Sequence, residues 1–155
     1  MTFLFILHNC SGFKPLYREN LSSIYKLQEF SIVVDEKKIS KKIKQKLIEL
    51  FPNNKKTKYI VKIEGLSDTS GTVADATRKI SRYNTKVSAK VKLYYRYEKY
   101  DKVIYKFEAS RDASYSLILN NIRSTLASKK RAEEISVRLL SEEIYKRILI
   151  FLSNN

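Results

Sequence analysis

Cysteine occurs once in these 155 residues, at Cys10, so no disulfide can form within the chain and neither a CxxC nor a Cys/His cluster offers a zinc site. Histidine also occurs once, at His8, and tryptophan not at all. In a mature protein beginning at Cys10 no Ser/His/Asp or Cys/His constellation can be assembled. Glycine is confined to Gly12, Gly65 and Gly71, too scattered to build a phosphate-cradling loop. The acidic pairs Glu133-Glu134 and Glu142-Glu143 fall on a predicted helix, where adjacent residues diverge and solvated charge is the expected role. The expectation is a non-enzymatic protein with no metal and no cofactor.

Acidic residues are also in deficit, 16 against 31 Lys and Arg, for a formal charge of +15. Such a surface favours polyanions: nucleic acid, anionic lipid or phosphorylated glycolipid. The lysines are spread along the chain, and Asn, Ile and Tyr are abundant beside them, so a coding bias accounts equally well for the charge. With 43% hydrophobic and 30% charged residues, the composition is that of one folded domain with a real core.

The amino terminus carries an apolar run, Phe3 to Leu7, followed by His8, Asn9 and Cys10. The run is far shorter than the roughly 20 residues that span a bilayer. It lacks the basic start and the roughly 7–15-residue apolar stretch of a secretory signal. Leu7 nevertheless stands three residues before Cys10, the place leucine takes in a lipoprotein signal. Two readings remain: a lipidated Cys10, or a buried first strand with a core thiol. The hydrophilic residues that follow favour the first, since acyl chains supply the membrane affinity that a short apolar run cannot. Residues 1–9 are then a signal segment, 10–26 a tether broken by Gly12 and Pro15, and 27–152 the domain.

Within that domain Phe30, Ile32 and Val34 mark a first strand in 27–34. Ile39, Ile43, Leu47 and Leu50 recur at helical spacing and stop before Pro52. A strand is expected over 58–66, closed by a turn at Ser67-Asp68-Thr69-Ser70-Gly71. From Val87 to Tyr97 apolar and polar residues alternate strictly, with Lys90, Lys92 and Arg96 on the wet side. A turn at 99–102 leads to Val103, Tyr105, Phe107 and Ala109 on a paired strand. Residues 114–124 read as a polar connection, and about 125–152 as a long helix with Ala132, Ile135, Leu139, Ile144, Ile148 and Phe151 inward. The fold class expected is α+β, a two-layer sandwich of order β-α-β-β-β-α, its four-stranded sheet antiparallel or mixed, with both helices on one face.

Two stretches resemble the LPS-assembly lipoprotein family, LptE, in its alphaproteobacterial form. One is Cys10-Ser11-Gly12-Phe13-Lys14-Pro15-Leu16-Tyr17; the other runs from Ala113-Ser114-Tyr115 through Ser124-Thr125-Leu126-Ala127 and Arg131-Ala132 to Ile148-Leu149-Ile150-Phe151-Leu152. Between them, 81–109 matches the family's strand pattern. Ser11, inserted directly after the cysteine, departs from it. The resemblance implies a domain lipid-anchored in the outer membrane on its periplasmic side, which plugs the lumen of the β-barrel LptD and contacts lipopolysaccharide. A barrel lumen is polar, which makes Lys90, Lys92 and Arg96 the expected barrel contacts. Arg78, Lys79 and Arg82, then Lys99 and Arg111, are the candidates for lipopolysaccharide phosphates.

Two rival readings stand beside it. A double-stranded RNA-binding module shares the α-β-β-β-α order and a Lys-rich opening to its last helix, here Ser128-Lys129-Lys130-Arg131-Ala132. It leaves the additional first strand and the tether unexplained. A different envelope lipoprotein, such as a transporter's auxiliary subunit, would share tether and sandwich but not the barrel partner.

Overall fold

The computed structural model describes residues 29–51, 57–73, 80–118 and 121–154. The signal segment, the tether and Cys10 lie outside the described residues. The elements are β1 (Phe30–Val34), α1 (Lys38–Leu50), β2 (Tyr59–Val73), β3 (Ile80–Arg96), β4 (Asp101–Ser116) and α2 (Ile122–Ser153). This is the expected β-α-β-β-β-α order. The sheet runs β1-β2-β3-β4, with β1 parallel to β2 and the other pairs antiparallel, so it is mixed. A parallel pair needs a crossover connection, and α1 supplies it.

Ile39, Ile43 and Leu47 line one side of α1 and are buried, and the helix closes when the Phe51 N–H donates to Leu47 O at 2.9 Å. Pro52, next in sequence, cannot continue a helix. On the sheet Val61, Ile63, Val87, Ala89, Val91, Leu93 and Ala109 are buried, and α2 adds Val137, Leu140, Ile144, Ile148 and Leu152 to the same core. At one end of the sheet aromatics close it: Phe30 meets Phe51 and Tyr59, and Tyr105 stacks on Phe151 with centroids 4.5 Å apart.

One row of the helix-facing surface is built from small residues. Gly65 pairs with Ala89, and Ala89 with Ala109. Short side chains there let the helices come close. The Gly65 N–H, beyond the last β1 partner, donates instead to Ser40 Oγ at 2.8 Å. From α2, Ser136 Oγ shares its proton between Thr85 O on the sheet and Ala132 O in its own helix, and Ser141 Oγ donates to Val137 O.

The structure corrects several sequence expectations. The segment 67–71 is not a turn: β2 runs on through it, paired from Ser67↔Val87 to Gly71↔Tyr83. Its polar side chains are tolerated because a long neighbouring strand satisfies the backbone. For the same reason β3 starts at Ile80 and β4 extends to Ser116, so 114–116 is strand, while α2 begins at Ile122. The β3–β4 loop is Tyr97 to Tyr100, closed by the Tyr97 N–H on Tyr100 O at 2.9 Å, and Asp101 and Lys102 are already strand.

Val103 does not continue the buried alternation. The register steps from Leu93↔Tyr105 to Tyr94↔Val103, leaving Ile104 as the extra residue of a β-bulge. That step turns Val103 to the outer face, where it is 44% exposed. On α2 Ala132, Ile144 and Ile148 are buried as expected, but Ser136, Val137, Leu140 and Ser141 complete the inward stripe and Ile135 is exposed. Serines take inward positions beside the small-residue row, and a hydrophobicity count passes over them.

Candidate functional site

The face of the sheet turned away from the helices carries the chain's chemistry in cross-strand rows. Lys62 pairs with Lys92, and Lys92 with Lys106, so three lysines lie abreast on β2, β3 and β4. All three are exposed. No carboxylate among the described residues forms an ion pair with any of them. The rows beyond are of another kind. Lys90 stands between Glu64 and Glu108, and Lys86 between Asp68 and Asp112. There each cation has an acid on either side; in the triple-lysine row like charges face one another directly, an arrangement that destabilises a sheet.

On the other side of the lysine row lies an apolar one, Ile60, Tyr94 and Val103. Ile60 is buried and Tyr94 half-buried. The bulge at Ile104 opens a cleft of about 580 Å³ there, lined by Lys92, Tyr94, Val103, Ile104, Tyr105 and Lys106. Two cations thus stand at the mouth of a partly apolar cleft at the sheet's edge.

The expected site residues separate. Lys90 reaches toward Glu108 at 3.8 Å, and Arg96 is tied to Asp101 at 3.4 Å. Lys92 alone of the three expected barrel contacts belongs to the uncompensated row. Arg82, exposed near the start of β3, and Lys99, in the β3–β4 loop, sit at opposite ends of the hairpin. At about 3.3 Å per residue they are roughly 45 Å apart and cannot share one ligand headgroup. Arg111 lies on the helix side, its Nη2 2.6 Å from Glu143 Oε2, while Arg147 Nη2 stands 2.5 Å from Glu143 Oε1. Glu143, expected as solvated charge, is instead largely buried and clamped by two guanidinium groups. Arg147 also lies 5.3 Å over the Phe107 ring. Glu133 joins the two helices through an ion pair with Lys42. Cys10, Arg78 and Lys79 lie outside the described residues.

Lys62 and Lys106 were missed as site residues. Each sits on a wet strand face in the sequence, but only the three-strand register places them beside Lys92.

Electrostatics elsewhere are local. Asp35, just before α1, is held below the ordinary 3.8 of a carboxylate chiefly by the Ser40 hydroxyl, with Lys37 adding to it. Glu29 raises Lys58 across a 3.1 Å ion pair. Burial pushes the Tyr59 phenol above its usual 10.0, reinforced by Tyr95. Among the described residues no group of acidic, His or Cys side chains gathers that could hold a metal ion.

No protein-family model and no curated protein matches the sequence. Solved structures do. A lipoprotein of Caulobacter crescentus CB15 superposes with a TM-score of 0.69 at 12% identity, over 86% of this chain and 96% of that one. Lipoprotein B of Nitrosomonas europaea gives 0.58 at 10% identity, over 80% and 83%, and a minor lipoprotein of Acinetobacter baumannii 0.56 at 10%, over 80% and 92%. The chain shares the fold of these bacterial lipoproteins.

Proposed function

We propose that this chain is a lipid-anchored protein of the bacterial outer membrane, tethered through Cys10 on the periplasmic side, which assists lipopolysaccharide assembly by seating in the LptD barrel. It works without catalysis, by shape and charge. The observation that carries the reading is the shared fold, over 80–86% of this chain, with three lipoproteins, in a chain whose own Leu7 stands at lipobox spacing from Cys10. The rows of the outer sheet face add to it. Lys86, Lys90 and Arg96, each set against carboxylates, give a hydrated mixed-charge surface of the sort a polar barrel lumen accepts.

Affinity capture of the tagged chain from its native envelope tests this. An outer-membrane barrel should copurify, and labelled fatty acid should enter the wild type but not Cys10→Ala. Lipidated chain recovered without any barrel overturns the plug and leaves the anchor; absence of label overturns the anchor. A different envelope lipoprotein is the remaining reading in the first of these outcomes only.

A further inference from the structure

We infer that the β3–β4 loop, Tyr97 to Tyr100, is a lipid-contacting tip, which seats the tether's end of the sheet in the headgroup layer of the membrane that holds Cys10. This orientation rests on the anchor proposed above and goes beyond it. The described chain starts at this end of the sheet. Glu29 O accepts the N–H groups of Lys58 and Tyr59 at 2.9 and 3.0 Å, and Lys58 O accepts that of Arg96 at 2.8 Å. Three hydrogen bonds thus lock the entry of the tether beside the last residue of β3, next to the loop.

Chain length limits how far that entry can stand from the anchor. Residues 10–28, whatever their path, span at most about 65 Å. From Tyr97 to Arg82, at the far end of β3, is about 50 Å. Setting the far end on the membrane would draw the tether out to most of its full length, at a cost in chain entropy. Setting the near end there carries no such cost.

The near end has the side chains for it. A short hairpin loop ordinarily holds Gly, Asn or Asp; this one begins and ends with Tyr, 42% and 61% exposed. The two rings stack with centroids 5.0 Å apart while the Tyr97 N–H closes the loop on Tyr100 O. Behind them Tyr97 meets Tyr95 at 4.9 Å, Tyr95 meets Tyr59 at 5.3 Å, and Tyr59 meets Phe30 at 5.1 Å. An unbroken file of rings therefore runs from the core to the exposed tip. A phenol has an apolar body and a polar tip, which suits it to the level of the headgroups, where one side is dry and the other wet. Lys99 and Lys102, both exposed, can lay their stems along the same layer with the ammonium groups in water. The far end also exposes apolar side chains, Ile122 at 78% and Leu126 at 60%, but they are aliphatic and stand away from the tether.

The chain has one cysteine and no tryptophan, and both facts serve the test. The full chain is coupled through the Cys10 thiol to phosphatidylcholine vesicles carrying a maleimide-bearing phosphatidylethanolamine, so the result does not wait on natural lipidation. A single fluorophore is placed at the tip by Tyr100→Trp or at the far end by Leu126→Trp, both exposed positions, and circular dichroism checks that the sheet is intact. With dibrominated phosphatidylcholine in the vesicles, Tyr100→Trp should shift to the blue and be quenched at least about twofold, as an interfacial aromatic is. Leu126→Trp should keep its emission. In the chain with its own tyrosines, coupled to nanodiscs of the same lipids, a headgroup nitroxide should broaden the amide signals of Glu98 to Lys102 and spare those of Leu117 to Leu126. The double variant Tyr97→Ser/Tyr100→Ser should lose that contrast between the ends.

Quenching as strong at Leu126→Trp as at Tyr100→Trp overturns the orientation. No quenching at Tyr100→Trp overturns the lipid surface as occupant, and broadening that survives the double variant overturns the role of the tyrosines. Fatty-acid labelling of the wild type is read separately. Label at Cys10 without quenching leaves the anchor and overturns the tip; quenching without label overturns the anchor and leaves the tip's affinity for lipid.

Discussion

Ser40 Oγ accepts the Gly65 backbone N–H at 2.8 Å, at a point where helix meets sheet with no Cβ between them. A Cβ added at Gly65 would stand 2.8 Å from that same oxygen and 3.1 Å from Ile43 Cδ1. The hydrogen bond and the missing side chain are one device: the helix can reach the unpaired N–H of the strand only because the strand leaves room. Gly65→Ala is therefore expected to lower stability by about 1–3 kcal/mol through overcrowding. Ser40→Ala should cost a similar amount, about 1–3 kcal/mol, by orphaning a buried N–H. The double variant should lose less than the sum, since each substitution removes part of what the other disturbs. Chemical denaturation of the four chains measures this, and strict additivity would refute the coupling.

Glu143 is predicted to be structural rather than a surface charge. Glu143→Gln leaves Arg111 and Arg147 facing a neutral group and should destabilise by about 1–3 kcal/mol. Arg111→Ala, whose side chain is half exposed, should cost no more than about 1 kcal/mol. Urea unfolding midpoints compare the two; an equal, negligible effect would show that the clamp is unimportant.

Two residues of the stripe expected on α2 give a sharper contrast. Ile144 is fully buried and Ile135 is 36% exposed. Ile144→Ala should lose about 2–5 kcal/mol, through lost transfer energy and the cavity left behind. Ile135→Ser should stay within about 0.5 kcal/mol. Sequence periodicity alone, which puts Ile135 inward, forecasts comparable losses, so thermal unfolding of the pair decides between the two faces.

Stability should fall at both ends of the pH range for different reasons. Asp35 has a folded pKa below 3.8, so its contribution is complete above that value and disappears as pH drops through the folded one. Ser40→Ala, which removes the largest cause, should flatten this acid limb. Tyr59 has a folded pKa above 10.0; the unfolded chain releases this proton first, so stability declines as pH rises from 10.0 toward the folded value. Tyr59→Phe should remove that alkaline component. Denaturant titrations across both limbs are the check, and unchanged slopes in the variants would exclude these two groups as the cause.

The element order is legible because α1 and the Ile144 and Ile148 part of α2's core stripe obey helical spacing and 87–96 alternates without a fault. What escaped was whatever depends on partners distant in sequence. Thr69 has the composition of a turn, yet its hydroxyl lies 3.3 Å from that of Thr85 on β3, and the pairing overrides local preference. The bulge at Ile104 leaves no mark in the alternation, which by itself puts Val103 on the buried face. Lys92 was picked out as a wet-face cation, but nothing local distinguishes it from Lys90; the first is set between lysines and the second between glutamates only once the register is known.

β1 accompanies β2 for five residues and ends at Val34↔Ile63. From there β2 runs ten residues further to Val73 with no strand on that side among the described residues, and β4 forms the opposite border of the sheet over sixteen residues. Ser40 caps one group of the first border, and Arg147 reaches Glu108 O on β4. Among the described residues most of both borders thus stays unpaired, a template for a foreign strand. Concentrated chain, kept from whatever normally surrounds it, is expected to associate border to border, and the charges at Asp68, Lys106 and Asp112 are the residues that hold such pairing in check.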